Sequence, residues 1–195
     1  MRTTIIFLVW VMSFTVLYEI LRADDTVYTR AYPTEQVRDS VKSIQHKVNG
    51  FQQFANAVGQ RESSGRYEVV NRFGYAGKYQ FGSAALKDVG VTDKDQFLKN
   101  PEVQERAFIA LCKVNKYRLR NYIDKYEGKY INGIKITESG LLAASHLVGA
   151  GKVKRYLRSN GKKSSKDGNG ISLEHYLKIF EGYQLDITAN RIASI

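Results

Sequence analysis

Cysteine is nearly absent from this chain of 195 residues, since Cys112 is the only one. A single thiol cannot form an internal disulfide, and it cannot supply the several thiolates of a structural zinc cluster. Cys112 falls at an apolar position of a predicted helix, which indicates a buried and unreactive side chain. The three histidines show no ligand spacing for zinc. The sequence therefore predicts a fold that its hydrophobic core stabilises, and no cofactor is expected.

Acidic residues are few relative to basic ones. The chain has 30 Lys and Arg residues against 19 Asp and Glu residues, which gives a formal net charge of +11. Such a protein is attracted to polyanions, namely nucleic acid, anionic lipid or an acidic cell-wall polymer. The sign of the charge does not choose among them. No nucleic-acid-binding motif accompanies the basic residues, so nucleic acid is not the expected partner and stays the weaker alternative.

Long apolar runs are missing except at the N-terminus, where Arg2 precedes a mostly apolar stretch at residues 5–17. A basic start and an apolar middle are typical of a secretory signal. Residues 1–23 are therefore expected to form either a cleaved signal peptide or a retained membrane anchor through residues 5–21. Both alternatives export the rest of the chain to the periplasm or the extracellular space. Residues 24–33 have no periodicity and are predicted to be a linker.

The hydrophobic periodicity of the following segment predicts a long amphipathic helix. Apolar residues at steps of three and four indicate that it begins at Thr34 and runs to about Gly59. Glu62 then falls at or just beyond the last turn. Residues 66–82 contain three glycines and five aromatic residues without a helical period, so they predict an irregular loop or a small β-hairpin.

Capping signals divide the remaining chain into shorter helices within one domain. Asn100 and Pro101 mark a helix start, because Asn accepts from the first turn and Pro fits its first position. The Asn-Gly pair at residues 132–133 predicts a tight hairpin turn. Residues 186–195 show no pattern and are predicted to be a tail. The predicted helices are 84–89 capped by Ser83, a turn through 98 capped by Thr92, 101–126, 138–148 capped by Thr137, 152–159 and 172–180, with a polar surface loop at 161–170.

Glu62 is the candidate catalytic residue. It opens the tetrapeptide Glu-Ser-Ser-Gly at residues 62–65, and the strip Gly-Lys-Tyr-Gln follows at residues 77–80. Breaking a glycosidic bond requires a proton on a poor leaving oxygen, and a carboxylic acid supplies it if it stays protonated near neutral pH. One acid on packed helical structure, facing a loop cleft, is the arrangement that general acid cleavage of a sugar chain needs.

These motifs resemble the lysozyme-like superfamily, in its lytic transglycosylase and goose-type lysozyme branch. A third motif of that branch, of the type Ala-Tyr-Asn-Ala-Gly followed by a basic stretch, is matched by residues 144–153, and the similarity covers residues 51–183. Ser145 and His146 stand where the family usually has Tyr-Asn, and Tyr79 stands where many members have Met. Each motif alone is weak, and their specificity comes from the order of the three.

The resemblance implies a mainly α fold, a lysozyme-like α+β domain over residues 34–185 with a small β-hairpin excursion, preceded by the N-terminal signal or anchor helix. It implies a monomer that cleaves the glycan strands of peptidoglycan between N-acetylmuramic acid and N-acetylglucosamine, as a lytic transglycosylase or a muramidase. Glu62 is expected to be the single general acid and base. The residues expected to bind sugar are Ser63, Tyr79, Gln80, Ser145 and His146.

Alternatives stay open at the level of the sequence. A chitinase-like hydrolase fits because polymers of N-acetylglucosamine occupy similar grooves, and a non-catalytic cell-wall-binding or anchored module needs the same fold without turnover. Glu68, Asp88 and Glu138 are available as a second carboxylate, but none has a matching context. The attacking nucleophile is therefore either an internal sugar hydroxyl, which leaves an anhydro end, or water.

Overall fold

The computed structural model describes residues 34–195. The predicted signal or anchor at residues 1–23 and the predicted linker at residues 24–33 lie outside the described residues. The chain divides into two compact units, Met1–Gln45 and His46–Ile195. The core and the cleft described below belong to the second unit. Within residues 34–195, none of the helices combines the length and the apolarity that crossing a bilayer requires.

The described chain is mainly helical, as the sequence predicts. Its one sheet among these residues is an antiparallel pair in which Tyr130 faces Lys135 and Ile131 faces Ile134. The elements are α1 (Thr34–Ser63), α2 (Ser83–Asp88), α3 (Lys94–Lys99), α4 (Pro101–Tyr126), β1 (Tyr130–Ile131), β2 (Ile134–Lys135), α5 (Glu138–Val148), α6 (Ala150–Arg158) and α7 (Leu173–Ile179).

Several predicted starts and turns are confirmed. The Asn100 side chain accepts from the backbone N–H of Val103 at 3.2 Å, and Pro101 occupies the first helical position of α4. Thr137 caps α5 through the N–H of Gly140. The turn at residues 132–133 joins β1 to β2 with φ angles of 51° and 73°, which are the left-handed values of a tight hairpin turn.

Three local predictions are wrong in detail. Ser83 is not a cap, because Gly82 is the N-cap of α2 and no side-chain hydrogen bond caps that helix. The cap of α3 is Asp93 and not Thr92, since the Asp93 carboxylate accepts from the N–H of Gln96 at 2.9 Å. The first helix does not end at Gly59 but runs to Ser63, and Glu62 lies in its last turn, which is one of the two positions predicted for it.

The core is organised around α5, which packs against α4, α6 and α7. Residues 139–145 of α5 are all buried. Gly140 permits the close approach of α7, because a Cβ at this position would lie 2.9 Å from the carbonyl oxygen of Leu177. Cys112 is also buried, as its helical position predicts, and burial raises the pKa of its thiol.

Aromatic rings join the end of α1 to α4 and to the loop between α1 and α2. The rings of Tyr79 and Phe108 stack at 4.0 Å with an interplanar angle of 5°. Phe54 contacts Phe108 at 6.0 Å between ring centroids. All three side chains are fully or almost fully buried. Burial of each ring stabilises the fold by about 2 to 3 kcal/mol, so this cluster fixes the loop on the helices.

The C-terminal residues pack on the domain although they have no regular structure. The backbone N–H of Asn190 donates to the carbonyl of Lys113, and the N–H of Ile195 donates to the carbonyl of Val89. Ala193 is 8% exposed and belongs to the hydrophobic core. The predicted tail at 186–195 therefore contacts α4 and the end of α2.

Candidate functional site

A cleft with a volume of about 410 Å³ opens beside the C-terminal end of α1. The loop between α1 and α2 forms one wall through Asn71, Tyr75 and Gln80, and the end of α5 forms another through Ser145 and His146. Polar groups from α2, α4, α6 and the loop after α6 complete the lining, namely Asp88, Asn115, Arg118, Lys152, Lys166, Asp167 and Asn169.

Glu62 lines this cleft, and its side chain is half-buried. The last turn of α1 holds its backbone. Ser64 and Gly65 then turn the chain out of the helix with φ angles of 57° and 76°, and their N–H groups bond the carbonyls of Gln60 and Gly59. This C-terminal turn aims Glu62 at the cleft while the preceding apolar residues of α1 stay in the core.

The carboxylate of Glu62 is fixed by a tyrosine from the far end of the chain. The Tyr176 hydroxyl donates to Glu62 Oε1 at 2.5 Å, and no other described residue forms a hydrogen bond with this carboxylate. Tyr176 is 3% exposed. Burial, and then the nearby charge of Glu62, raise the pKa of the Tyr176 phenol. The phenol therefore stays a donor at neutral pH, and Glu62 Oε2 forms no hydrogen bond with a described residue.

Gln80 lines the cleft in a conformation that non-glycine residues rarely adopt. Its φ angle is 49°, and its side-chain Nε2 donates to the carbonyl of Gly77 at 2.9 Å. The backbone N–H of Gln80 donates to the same carbonyl. This bond uses one of the two N–H donors of Nε2, so Gln80 Oε1 and the second N–H are available to a ligand.

Ser145 and His146 lie together on the other wall of the cleft, at the end of α5. The Ser145 hydroxyl donates to the carbonyl of Leu141, so it retains accepting capacity only. His146 Nε2 lies 2.6 Å from the carbonyl oxygen of Tyr79, which assigns the ring proton to Nε2. His146 Nδ1 is buried without a hydrogen-bond partner among the described residues. His146 thus links the end of α5 to the loop that carries Gln80.

Ser63 and Tyr79 are near these residues but do not line the cleft. Ser63 is 6% exposed, and its hydroxyl donates to the carbonyl of Lys78 at 2.8 Å. Tyr79 is fully buried, and its hydroxyl donates to Glu105 Oε2 at 2.6 Å. Both side chains hold the loop on α1 and α4 instead of facing a ligand. The exposed ring in the cleft lining is Tyr75, which is 41% exposed.

The carboxylates considered from the sequence are separated by the structure. Asp88 lines the cleft, but Arg118 forms two hydrogen bonds with it, at 2.6 and 3.0 Å, and these bonds lower the Asp88 pKa. Glu138 pairs with Lys116 at 2.8 Å outside the cleft lining. Glu68 lies in a separate hollow. Of these four carboxylates, Glu62 is the one that lines the cleft without an ion pair among the described residues.

Asp167 is a further acidic residue of the cleft, and it serves its own loop. Its Oδ1 accepts from the N–H of Asn169 at 3.0 Å and from the N–H of Ile171 at 2.7 Å. This pattern is an Asx-turn, which fixes the backbone after residue 166. Residues 34–195 contain no group of three or more His, Cys, Asp and Glu side chains placed to hold a metal ion.

The loop between α1 and α2 rests on a polar network that sequence reasoning missed. Lys78 Nζ lies 2.7 Å from Glu105 Oε1, and the hydroxyls of Tyr67 and Tyr79 donate to the same carboxylate. Burial works to raise the Glu105 pKa, but the hydrogen bonds from Lys78, Tyr79 and Tyr67 outweigh it and lower that pKa. Gln104, which is fully buried, accepts from the N–H of Lys78.

Some of the missed residues carry a signal in the sequence and others do not. Tyr75 lies in the aromatic loop that follows Glu62, so the sequence contains a signal that could have predicted its place in the cleft. Tyr176 lies on a predicted helix with a core pattern, and nothing local distinguishes it from a core tyrosine. Glu105 lies on the long helix α4 among other charged residues, and only the tertiary contact with Lys78 distinguishes it.

Comparison with family models, with curated proteins and with solved structures gives no match for this chain. The similarity to the lysozyme-like superfamily therefore stays a prediction from the three motifs.

Proposed function

We propose that this protein cleaves the glycan strands of peptidoglycan between N-acetylmuramic acid and N-acetylglucosamine, with Glu62 as the general acid and base. The observation that carries the proposal is the placement of Glu62. Among the described residues, it is the carboxylate of the cleft that neither pairs with a cation nor bonds its own loop, and a buried hydroxyl at 2.5 Å holds one of its two oxygens. A positioned acid with one free oxygen is what proton transfer to a leaving group requires.

The first step uses the difference between the two oxygens of Glu62. Tyr176 donates to Oε1, so in the proposed reaction Oε2 is the atom that carries the transferred proton. Transfer of this proton to the glycosidic oxygen breaks the bond between that oxygen and the anomeric carbon. The leaving sugar departs as an alcohol, and the remaining sugar carries a positive charge at its anomeric carbon. Glu62 is then a carboxylate.

In the second step the same carboxylate acts as the base. It accepts a proton from the nucleophile as the nucleophile bonds to the anomeric carbon, which restores the protonated acid. The nucleophile is a hydroxyl of the same sugar or a water molecule. A single acid suits this sequence because Asp88 is paired with Arg118 and Asp167 bonds its own loop. By the proposed resemblance, the acetamido group of the substrate stabilises the positive charge.

Gln80, Ser145 and His146 are the proposed sugar-binding residues. Gln80 Oε1 and the Ser145 hydroxyl accept hydrogen bonds from the amide or hydroxyl groups of an aminosugar. Tyr75 offers an exposed ring at the same cleft. Ser63 and Tyr79 act on binding through the position of the loop between α1 and α2. The predicted export signal or anchor at residues 1–23 agrees with a substrate outside the cytoplasm.

The decisive variant is Glu62→Gln, with Glu68→Gln as its matched control outside the cleft. Purified wall sacculi should lose turbidity with the parent protein and with the control, but not with Glu62→Gln. The rate with Glu62→Gln should fall by a factor of about 100 or more, while binding to sacculi survives. Unchanged product release by Glu62→Gln would exclude the assigned acid. Binding without product from the parent protein would favour a non-catalytic wall-binding module.

Two further measurements separate the related activities. Soluble chitin oligomers offered in place of sacculi test the chitinase-like alternative, which predicts faster cleavage of the oligomers. Mass spectrometry of the digested muropeptides distinguishes an anhydro end from a hydrolysed end, because the two products differ by one water.

A further inference from the structure

The segment after α5 concentrates positive charge. Between Glu138 and Asp167 the chain contains no acidic residue. Over the same interval α6 and the loop after it carry seven cations, which we name the basic track: Lys152, Lys154, Arg155, Arg158, Lys162, Lys163 and Lys166.

No ion pair among the described residues neutralises the basic track, although Glu174 bonds the Ser164 hydroxyl in its loop and Asp167 follows Lys166. Arg155 donates to the Ser165 hydroxyl at 3.1 Å, and Arg158 donates to the Tyr122 hydroxyl at 3.1 Å. Lys154 lies 5.8 Å from the centroid of the Tyr122 ring. Among the described residues, none of the seven cations forms an ion pair with a carboxylate. Its charge is therefore available to a ligand.

The basic track is continuous with the cleft. Lys152 and Lys166 line the cleft at the beginning and the end of the segment. The bond from Arg155 to Ser165 holds the loop beside α6, one helical turn after Lys152. The apolar residues Val153, Tyr156 and Leu157 of α6 are buried, which leaves the cations on its solvent side.

We infer that the basic track binds carboxylates carried by the glycan strand as it leaves the cleft, so that the preferred substrate is an acid-bearing strand and not a neutral one. This inference rests on the proposed function. Charge complementarity and continuity with the cleft argue for a ligand already bound there.

Two other polyanions fit the same surface less well. A membrane surface would use apolar side chains that insert beside the cations, but the exposed residues of α6 and of residues 159–166 are polar, charged or glycine. Single-stranded nucleic acid would use free aromatic faces for stacking. The tyrosines beside α6 are occupied, because Tyr122 and Tyr126 stack on each other and Lys154, Lys125 and Lys129 approach their rings. The exposed rings of Phe73 and Tyr75 lie on the loop between α1 and α2 and not on the track.

The test measures binding separately from cleavage. In the full chain, Glu62→Gln prevents turnover, and Lys152→Gln with Lys166→Gln removes the two cations of the track that reach the cleft. The control is Lys99→Gln with Lys178→Gln, which removes the same charge from two exposed helix ends that do not line the cleft. Fluorescence anisotropy gives the dissociation constant for a labelled peptidoglycan strand and for a neutral N-acetylglucosamine oligomer.

We expect the track variant to weaken binding of the acid-bearing strand by about three- to tenfold at low salt. Binding of the neutral oligomer should change less than about twofold, and the control variant should resemble the parent protein. Equal weakening of the neutral oligomer, or equal weakening in the control, would overturn the inference. So would tighter, track-dependent binding of a short duplex DNA or of vesicles containing anionic phospholipid.

Strands with and without their peptides identify the source of the carboxylate. If the track variant no longer weakens binding once the peptides are removed, the carboxylates are those of the peptides. If it still weakens binding, the carboxylate is that of the sugar itself. The result is independent of catalysis. If the parent protein cleaves sacculi but both ligands respond alike, the inference alone fails. If the parent cleaves nothing and the acid-bearing strand still depends on the track, the proposed catalysis fails and the binding site stands.

Discussion

The hydrogen bond between Tyr176 and Glu62 joins residues that are 114 positions apart in the chain. It holds Oε1 of Glu62, and the proposed proton transfer requires a donor whose geometry is held. Tyr176 lies on α7, and its side chain is buried in the core of the domain. Its position therefore depends on the packing of the whole domain. The Glu62 carboxylate is thus held by a core residue of α7.

Replacement of Tyr176 by Phe removes this bond and keeps the ring. We expect kcat to fall about tenfold with little change in KM, since the carboxylate loses its orientation and the sugar contacts remain. The free energy of unfolding should fall by only about 1 kcal/mol. Steady-state kinetics on glycan strands and urea unfolding check both values. Tyr130→Phe, on the exposed hairpin, is the control, and an unchanged kcat for Tyr176→Phe would rule out the positioning role.

Gly77 is required where the loop turns beneath Gln80. Its φ angle is 74°, and a Cβ at this position would overlap Gln104 Oε1 and lie 2.7 Å from Gln104 Cδ. Gln104 cannot move away without cost, because its amide also donates to the carbonyls of Tyr67 and Phe97. Backbone conformation and steric overlap therefore both select glycine.

Gly77→Ala and Gly74→Ala separate these two effects. Gly74 has a φ angle of 81°, but nothing lies within 4 Å of its Cβ position. Gly74→Ala should cost about 1 kcal/mol from the left-handed backbone alone. Gly77→Ala should cost about 3 kcal/mol, since the overlap with Gln104 adds to it. Equal losses in thermal or urea unfolding would show that Gln104 relaxes freely.

At the scale of elements, the Lys78–Glu105 pair attaches the loop between α1 and α2 to α4. The Lys78 side chain is 8% exposed, so its ammonium depends on Glu105, with weaker contacts to Asn56 and Tyr67. Gly59 of α1 makes room for its methylene chain, since a Cβ there would lie 2.6 Å from Lys78 Cε. The pair therefore positions the loop that carries Gln80 into the cleft.

Glu105→Gln should lower the free energy of unfolding by about 3 kcal/mol at neutral pH, because the buried ammonium loses its charged partner. The folded protein lowers the Glu105 pKa below its ordinary value of 4.5. Its stabilising contribution is thus complete above that value and is lost as pH falls through the lower folded pKa. Urea unfolding should show the difference between the two proteins shrinking as the pH is lowered below 4.5.

Glu102→Gln is the control for this experiment, as Glu102 is exposed in the first turn of the same helix. It should change stability by at most about 1 kcal/mol through the helix dipole. A Glu105→Gln loss that stays constant as the pH falls would contradict the charge pair as its cause.

At the scale of the whole molecule, the C-terminal residues belong to the domain. Sequence patterning fails there because the segment docks through single contacts, namely the Asn190 and Ile195 backbone bonds and the Ala193 side chain. No periodic face is needed for such docking. The extent of the folded unit therefore follows from tertiary contacts.

Ala193→Arg and Ile192→Arg test this docking with neighbouring positions. Ala193 is 8% exposed, whereas Ile192 is 76% exposed. Ala193→Arg should destabilise the protein by about 2 kcal/mol, because a charged side chain cannot stay in that site. Ile192→Arg should change stability by less than about 0.5 kcal/mol. Thermal unfolding compares them, and equal melting temperatures would show that the C-terminal contacts contribute nothing.

The sequence by itself determined most of the secondary structure, because caps, turns and apolar periods act between residues a few positions apart. Asn100 and the Asn-Gly turn at residues 132–133 are examples in which local hydrogen bonds and φ angles leave little choice. Sequence patterns predicted the helix caps less reliably at Ser83 and Thr92, where the neighbouring residue is the N-cap.

Only the tertiary structure decided which side chains meet at the cleft. Local sequence cannot show that Tyr176 reaches Glu62 or that Tyr79 is buried while Tyr75 is exposed. These contacts depend on how helices far apart in the sequence pack together. Packing is decided by the shapes of side chains and their distances in space, and local sequence does not specify either.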